Sequence, residues 1–387
     1  MSKLTKLSIQ SFRQISNLVL DDLRGFNVLV GENSAGKTSV LEAAALFCRP
    51  LDPLELLSTA RRREIKSSRE QILDGVRWLF PQTSQAAADP YFSGEIRISG
   101  EGFHQKSCTV TYDGVIGDDS SSEDDSDEDD SIYDDSESDY DGSKMTLPGI
   151  AQENRRGAEI TMSCETWQRT LDGQNDRREL SFLLWEDERY ISRSVVVDWT
   201  VPVATLSPVA HRVEAIQKRL LSEAILSDSK SSIVEALRRL DPDIDNLEVV
   251  SRSGISSSLW VHHDKTGFSP VSTLGDGTRR ALSIALTLQS VRGGLLLIDE
   301  LETAIHRDAL FRFFEWLTDA AGHFNVQVIA TTHSLEAIDT ILSVSLDDPE
   351  NLVAYKLPGR ESKYRKPKRF SGDILENIRF EQGIDVR

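Results

Sequence analysis

Residues 31–38 read Gly-Glu-Asn-Ser-Ala-Gly-Lys-Thr, a full match to G-x-x-x-x-G-K-[ST], and few octapeptides restrict a fold as much. The flanks give the match its weight. Phe26–Val30 before it is a short apolar run that reads as a strand. Thr38–Phe47 after it is rich in Leu and Ala and reads as a helix closed by Pro50 and Pro53. Gly31 and Gly36 permit the tight turn that brings backbone N–H groups against anionic oxygens. Those amides and the start of the following helix favour negative charge. Lys37 is the residue that reaches the terminal phosphates of a nucleoside triphosphate, and Thr38 is a magnesium ligand. Glu32, Asn33, Ser34, Ala35 and Ser39 complete the candidate cradle. The sequence has no Asn-Lys-x-Asp guanine motif, which leaves ATP with Mg2+ as the expected ligand and argues against a GTPase.

A second group of residues supplies what the loop lacks. Leu295–Ile298 is an aliphatic run that leads directly into Asp299-Glu300. An aliphatic strand inside an α/β sheet is buried, and its C-terminal end opens at the ligand edge. Asp299 is therefore placed to hold magnesium together with Thr38, and Glu300 to polarise an attacking water. The run continues to Glu302 and His306. The next buried strand, Val326–Thr331, ends in Thr332-His333-Ser334, where His333 is placed to touch the γ-phosphate and sense its loss. Lys37, Glu300 and His333 form the candidate catalytic set. His306 stays open between a site role and a cap.

The third feature is Leu274-Gly275-Asp276-Gly277-Thr278-Arg279-Arg280, at the start of a helix that reads from Thr278 to Val291. Gly275, Asp276 and Gly277, with free amides and two arginines beside them, predict a second anion site. One chain then offers two phosphate sites but only one complete pocket. A two-fold dimer, with each helix start closing over the ATP of the other copy, resolves this economically.

These features divide the chain. An α/β core is expected from 1–64 and 251–345, an insertion or lobe from 65–250, and a C-terminal segment from 346–387. Within the insertion, Tyr91–Ser99, Cys108–Tyr112 and Ser192–Trp199 read as strands, and Val213–Arg239 reads as one helical stretch. The tract 117–142 is nearly all Asp, Glu and Ser, cannot bury enough apolar surface, and is expected to be a disordered loop. Asp118–Asp141 alone holds 14 carboxylates and no Lys or Arg; without it the net charge of −19 would be −5. The acidity is thus local and says nothing about nucleic-acid binding by the folded part. No apolar run approaches the ~20 residues that span a bilayer, and Met1–Gln10 lacks the apolar core of a signal peptide. Cys48, Cys108 and Cys164 are far apart in sequence and form no CxxC pair, which fits a reducing cytoplasm.

The order strand, phosphate loop, insertion, Gly-rich signature, aliphatic Asp-Glu, and strand ending in Thr-His-Ser resembles the ATP-binding-cassette (ABC) superfamily. More narrowly, the chain is similar to AAA-type ATPases of the OLD group and their RecF- and SMC-like relatives. This likeness rests on Leu4–Leu18 with Ser11-Phe12-Arg13, on Gly31–Thr38, and on Asp299-Glu300-x-Glu302-x-x-x-His306, and it covers about 140 residues at the two ends of the chain. The resemblance implies an α/β P-loop core and nucleotide-sandwiched dimers. It further implies Asp299 on magnesium, Glu300 as catalytic carboxylate, His333 as switch histidine and a signature that acts in trans. The chain departs from the pattern where Gly275 replaces the usual Ser. The glutamine that normally follows the phosphate loop has three candidates, Gln71, Gln82 and Gln85. Too few residues follow His333 for the TOPRIM nuclease domain of full-length OLD proteins, so cleavage is not expected. The resemblance implies a cytoplasmic ATPase that forms a homodimer or larger homo-oligomer and controls a separately encoded nuclease or toxin in anti-phage defence. The alternatives are direct DNA binding of RecF type, through the basic run Lys363–Arg369, and a non-hydrolysing ATP-bound scaffold. No membrane partner is expected, and a transporter subunit is disfavoured by the insertion and the altered signature.

Overall fold

The computed structural model describes residues 3–62, 72–82, 89–117, 155–167, 176–186, 199–252, 255–359 and 366–387. Most of the acidic tract, the expected strand Ser192–Trp199 except its last residue, Gln71, Gln85 and residues 363–365 of the basic run lie outside them. In chain order the elements are β1 (Lys6–Phe12), β2 (Ile15–Asp21), β3 (Phe26–Val30), α1 (Lys37–Cys48), α2 (Pro53–Arg61) and α3 (Ile72–Arg77). Next come β4 (Ser93–Glu101), β5 (Lys106–Gly117), β6 (Arg155–Thr166), β7 (Asp176–Trp185), β8 (Val203–Leu206), α4 (Glu214–Leu226) and α5 (Lys230–Leu240). Then follow β9 (Ile244–Arg252), β10 (Ile255–His263), β11 (Gly267–Pro270), α6 (Asp276–Ser290), β12 (Leu295–Ile298), α7 (Leu310–His323), β13 (Gln327–Thr331) and α8 (Leu335–Val344). The last are β14 (Leu352–Lys356), β15 (Lys368–Ser371) and α9 (Gly372–Glu376).

The central sheet runs β15-β14-β3-β13-β12-β8, parallel from β14 to β8, with β15 antiparallel on one edge. β3, β12, β13 and β14 are buried at nearly every position because both faces are covered. Strand periodicity then deals alternate residues to two separate cores. Leu29, Leu295, Leu297, Ile329, Val353 and Tyr355 face the core shared with α1 and the antiparallel sheet. Val28, Leu296, Ile298, Val328, Ala330 and Ala354 face the core built with α4–α8. The α/β class and the ABC-type P-loop core read from the sequence are what the chain adopts, with strands and helices in the insertion.

The sheets cut across the stretches 1–64, 65–250, 251–345 and 346–387. Val203–Leu206, inside the stretch 65–250, is β8 and pairs with β12 in the central sheet. Leu352–Lys356, assigned to a C-terminal segment, is β14 and pairs with β3. Conversely β1 and β2, assigned to the core, join β4–β7 in a second, antiparallel sheet of order β2-β1-β4-β5-β6-β7. β8 is only four residues, Val-Ala-Thr-Leu, between Pro202 and Pro208, too short to show a period. The expected helix Val213–Arg239 is two helices. Asp228 takes a left-handed φ of 51°, and Ser227 and Ser229 bond back to the end of α4. Leu301–Ala320, read as mostly helical, begins with turns, and α7 starts only at Leu310.

Two details of the antiparallel sheet matter below. Gly117 and Arg155 are cross-strand partners where β5 ends and β6 begins. Cys108 and Cys164, distant in sequence, also pair across these strands, with Sγ atoms 3.6 Å apart and no disulfide between them. Near the base of the sheet Lys106 is 1% exposed; its ammonium donates to the Trp199 carbonyl at 2.9 Å and stands 4.8 Å from the Phe47 ring centre. A buried cation needs both contacts. Lys106→Ala is therefore expected to destabilise the fold by about 2–4 kcal/mol. A urea midpoint equal to wild type would show that these contacts contribute nothing.

Candidate active site

Because β3, β12 and β13 are parallel, their carboxyl ends emerge on one edge of the sheet, where ligands of such sheets bind. β3 delivers Gly31, β12 delivers Asp299, and β13 delivers Thr332 and His333. The loop takes the conformation that its glycines permit: Gly31 has φ 143° and Gly36 φ 90°, with Ser34 also left-handed at 65°. A Cβ on Gly31 would meet the Leu357 carbonyl at 3.1 Å, so the loop could not tolerate a side chain there without shifting. Gly36 is the N-cap of α1, and no side chain caps this helix. Its first amides are therefore left for an anion.

The loop opens onto a cleft of about 1280 Å³, larger than the ~300–1,000 Å³ of most small-ligand pockets. Asn33–Ser39 and His333 line it on one side, the β1–β2 hairpin with Arg13, Gln14 and Ile15 on another, and Trp78–Gln82 beyond. Glu32 is exposed beside this lining and packs toward Gly359. Arg13, from the Ser11-Phe12-Arg13 opening, is tied by its Nε to buried Glu42 of α1 at 2.8 Å, which docks the hairpin on the phosphate-loop helix. Gln82, the one described candidate for the glutamine after the loop, donates to the Arg77 and Phe80 carbonyls. Its Oε1 is shielded from solvent and has no hydrogen-bond partner.

Lys37 is buried, and its ammonium donates to the carbonyls of Gly31 (2.7 Å) and Glu32 (3.0 Å). Burial pushes its pKa down, and Asp299, Glu300 and Glu302 pull it back up. His333 Nδ1 lies 3.5 Å from the same ammonium. An ammonium can only donate, so a hydrogen bond here would have Nδ1 as its acceptor. His333 is exposed. The Thr38 hydroxyl lies 3.1 and 3.3 Å from the Asp299 carboxylate oxygens, so one ion between them would find both. This oxygen set suits a hard divalent cation such as Mg2+.

Asp299 and Glu300 are fixed by Thr331, which is 1% exposed. Its hydroxyl donates to Asp299 Oδ1 at 2.6 Å and accepts the Glu300 N–H at 2.9 Å; its carbonyl accepts the Leu301 N–H at 2.9 Å. Glu300 has a left-handed φ of 50°, a conformation that costs ~1–3 kcal/mol and is held by these bonds. Its exposed carboxylate accepts the Thr303 hydroxyl at 3.0 Å.

The signature behaves differently from expectation in one respect. Gly275 caps α6 with no side-chain bond, and a Cβ there would meet nothing within 4 Å, so this helix start is open. Gly275, Asp276 and Gly277 are not among the residues lining the cleft. The two arginines, however, are not free for an anion. Arg279 pairs with Asp276 at 3.4 Å, as does Arg212 at 3.2 Å. Arg280 is fully buried and donates to the carbonyls of Ser207 (2.6 Å) and Asp299 (3.3 Å), bracing the acidic turn from below. Burial pushes its pKa down to about 10, against the pull of Asp299, Glu300 and Glu302. Sequence alone makes such a residue look like surface, and only its place on the inward face of α6 shows otherwise. His306 acts as a cap, with Nδ1 accepting the Asp308 N–H at 3.3 Å. In the basic run, Arg369 is paired with Asp22 and Lys368 lies over the Phe370 ring.

A phosphate loop at the end of one parallel strand, an acidic pair two strands away and a histidine on the strand between them define a P-loop ATPase of the ABC/AAA type. The chain belongs to the family described as "AAA domain, putative AbiEii toxin, Type IV TA system", whose model matches residues 26–339. An uncharacterized protein of Methanocaldococcus jannaschii, MJECL11, is 35% identical over 115 residues, which are 30% of this chain and 99% of that protein. Among solved structures, the SMC head with an extended coiled coil bound to the C-terminal domain of ScpA from Pyrococcus furiosus gives a TM-score of 0.44 at 12% identity, over 99% of this chain and 100% of that one. The SMC head domain from Thermotoga maritima gives 0.38 at 10% identity, over 95% and 98%. No helix among the described residues is long and apolar enough to cross a membrane.

Thr331→Val keeps the shape of the side chain and removes both hydroxyl bonds. It is expected to weaken magnesium-dependent ATP binding by about 10-fold or more, as lost partners of metal ligands do, and to leave magnesium-free nucleotide binding near wild type. Titrations with and without Mg2+ check this; equal effects on both would remove Thr331 from the metal site.

Proposed function

We propose that this chain hydrolyses ATP with Mg2+, works as a dimer that sandwiches the nucleotide, and regulates a separate effector protein. The observation that supports hydrolysis is the joint placement of Glu300 and Asp299 beside Thr38 at the edge where the phosphate loop opens. On this reading Gly31–Ser39 wraps the phosphates with backbone amides, and Lys37 exchanges its two carbonyl partners for phosphate oxygens. Thr38 and Asp299 would hold Mg2+, whose chemistry there would be to neutralise phosphate charge. Gln82 offers its unpartnered Oε1 to the same ion or its water shell, which would make it the glutamine that follows the loop. Glu300 turns from Thr303 to hold the attacking water in line, and His333 donates from Nε2 to the γ-phosphate.

The dimer is supported by the open α6 start at Gly275–Gly277, an N-terminus with no side-chain cap that is suited to an anion held by another copy. With Gly275 in place of serine and both arginines engaged, backbone donors would carry that contact, and turnover would be slow. The effector role draws on the family description, a putative toxin of a type IV toxin–antitoxin system, and on the resemblance to anti-phage ATPases.

The test is ATP hydrolysis by the purified chain with oligomeric state read in parallel. Lys37→Ala is expected to abolish detectable binding. Glu300→Gln is expected to bind ATP, lose hydrolysis by about 100-fold or more and accumulate as an ATP-bound dimer. Wild type that binds ATP but never turns over, with or without DNA, would instead make the protein a nucleotide-bound scaffold. DNA binding that weakens steeply with salt would favour the RecF-like reading.

A further inference from the structure

We propose that Glu302 is a positioning residue for this chemistry, acting through His333; the inference rests on the ATPase reading above. Its Oε1 accepts the backbone N–H of His333 at 3.1 Å. The turns after β12 and β13 need such a tie. Up to Thr331 the two strands are joined by Leu301 N–H to the Thr331 carbonyl and Glu300 N–H to its hydroxyl. Beyond it they part: Thr332 N–H turns to the Leu29 carbonyl of β3, and Ser334 turns to cap α8. The His333 peptide sits between these, outside any ladder. Glu302 holds its N–H, and Arg387 holds its carbonyl at 3.2 Å. Both are charge-assisted bonds, about twice as strong as neutral ones.

Glu302 is held in place at a cost: its Oε2 is shielded from solvent and has no hydrogen-bond partner. Lys37 and buried Arg280 are the cations that feel its charge. Glu302 thus ties the histidine that faces the γ-phosphate to the turn that carries Asp299 and Glu300, so the two move as one body when nucleotide enters.

The experiment compares Glu302→Gln, Glu302→Ala, His333→Ala and the double variant Glu302→Ala/His333→Ala. It reads kcat, KM, and the ratio of ADP to ATP dissociation constants. Glu302→Gln keeps an acceptor oxygen and is expected to stay within about 3-fold of wild type. Glu302→Ala is expected to lower kcat by about 10-fold or more with KM within about 3-fold, and to lose as much ATP-over-ADP discrimination as His333→Ala. The double variant should be no worse than His333→Ala alone, because residues that act as a unit are non-additive. Independent, multiplying losses, or a Glu302→Ala indistinguishable from wild type, would overturn the proposal; so would a Glu302→Gln as poor as the alanine. Discrimination is read without turnover. A wild type that binds but does not hydrolyse therefore defeats the ATPase reading, while equal discrimination in wild type and Glu302→Ala defeats this one.

Discussion

Four parallel strands buried on both faces, β14, β3, β13 and β12, leave a polar side chain almost nowhere to go except their ends. That constraint organises the rest of the molecule. It collects the phosphate loop, the acidic pair and the histidine on one edge, although more than two hundred residues separate the first from the others. It also requires a cover for each face. Helices α4–α8 cover one; α1 and the antiparallel sheet cover the other. The second cover has a chemical by-product, because its first hairpin, β1–β2, forms a wall of the cleft and is locked to α1 through Arg13 and Glu42.

Without nucleotide the functional groups are not idle. Lys37 is held by two carbonyls, Asp299 by two hydroxyls, and Glu300 by Thr303. Ligand binding on this arrangement exchanges hydrogen bonds instead of creating them from bare buried charges, which would be far more costly. The edge is thereby rigid enough to be specific, and each internal partner is weak enough to yield to a phosphate or a cation.

The parts of this structure that were legible in the sequence are those in which local pattern and chemistry coincide. Phe26–Thr38, Leu295–Glu300 and Val326–His333 each carry an apolar run and a polar terminus, so fold and site could be read together. What was not legible depends on long-range pairing. β8 is four residues whose role comes from β12, almost ninety positions later, and β1, within the stretch 1–64 expected to be core, pairs with β2 and β4 in the antiparallel sheet. Within the site, Arg280 read as one of two arginines beside a second anion site, whereas burial on α6 and two carbonyls decide its role. Glu302 was legible only as a position in the Asp299-Glu300-x-Glu302-x-x-x-His306 run, since its partner, the His333 N–H, belongs to a different turn.

The junction of β5 and β6 has a consequence for how such a chain can change. Gly117 and Arg155 are held opposite each other, and the Trp185 ring lies against Gly117 and Gly157, with the Arg155 guanidinium 4.7 Å from its centre. The sheet is clasped at the point where residues 118–154 leave and return. The cost of joining two fixed ends grows only logarithmically with the length of chain between them, by ~0.6 kcal/mol per doubling. This junction is therefore a place where evolution can lengthen, shorten or rewrite a whole segment while the nucleotide edge, on a different sheet, keeps its geometry.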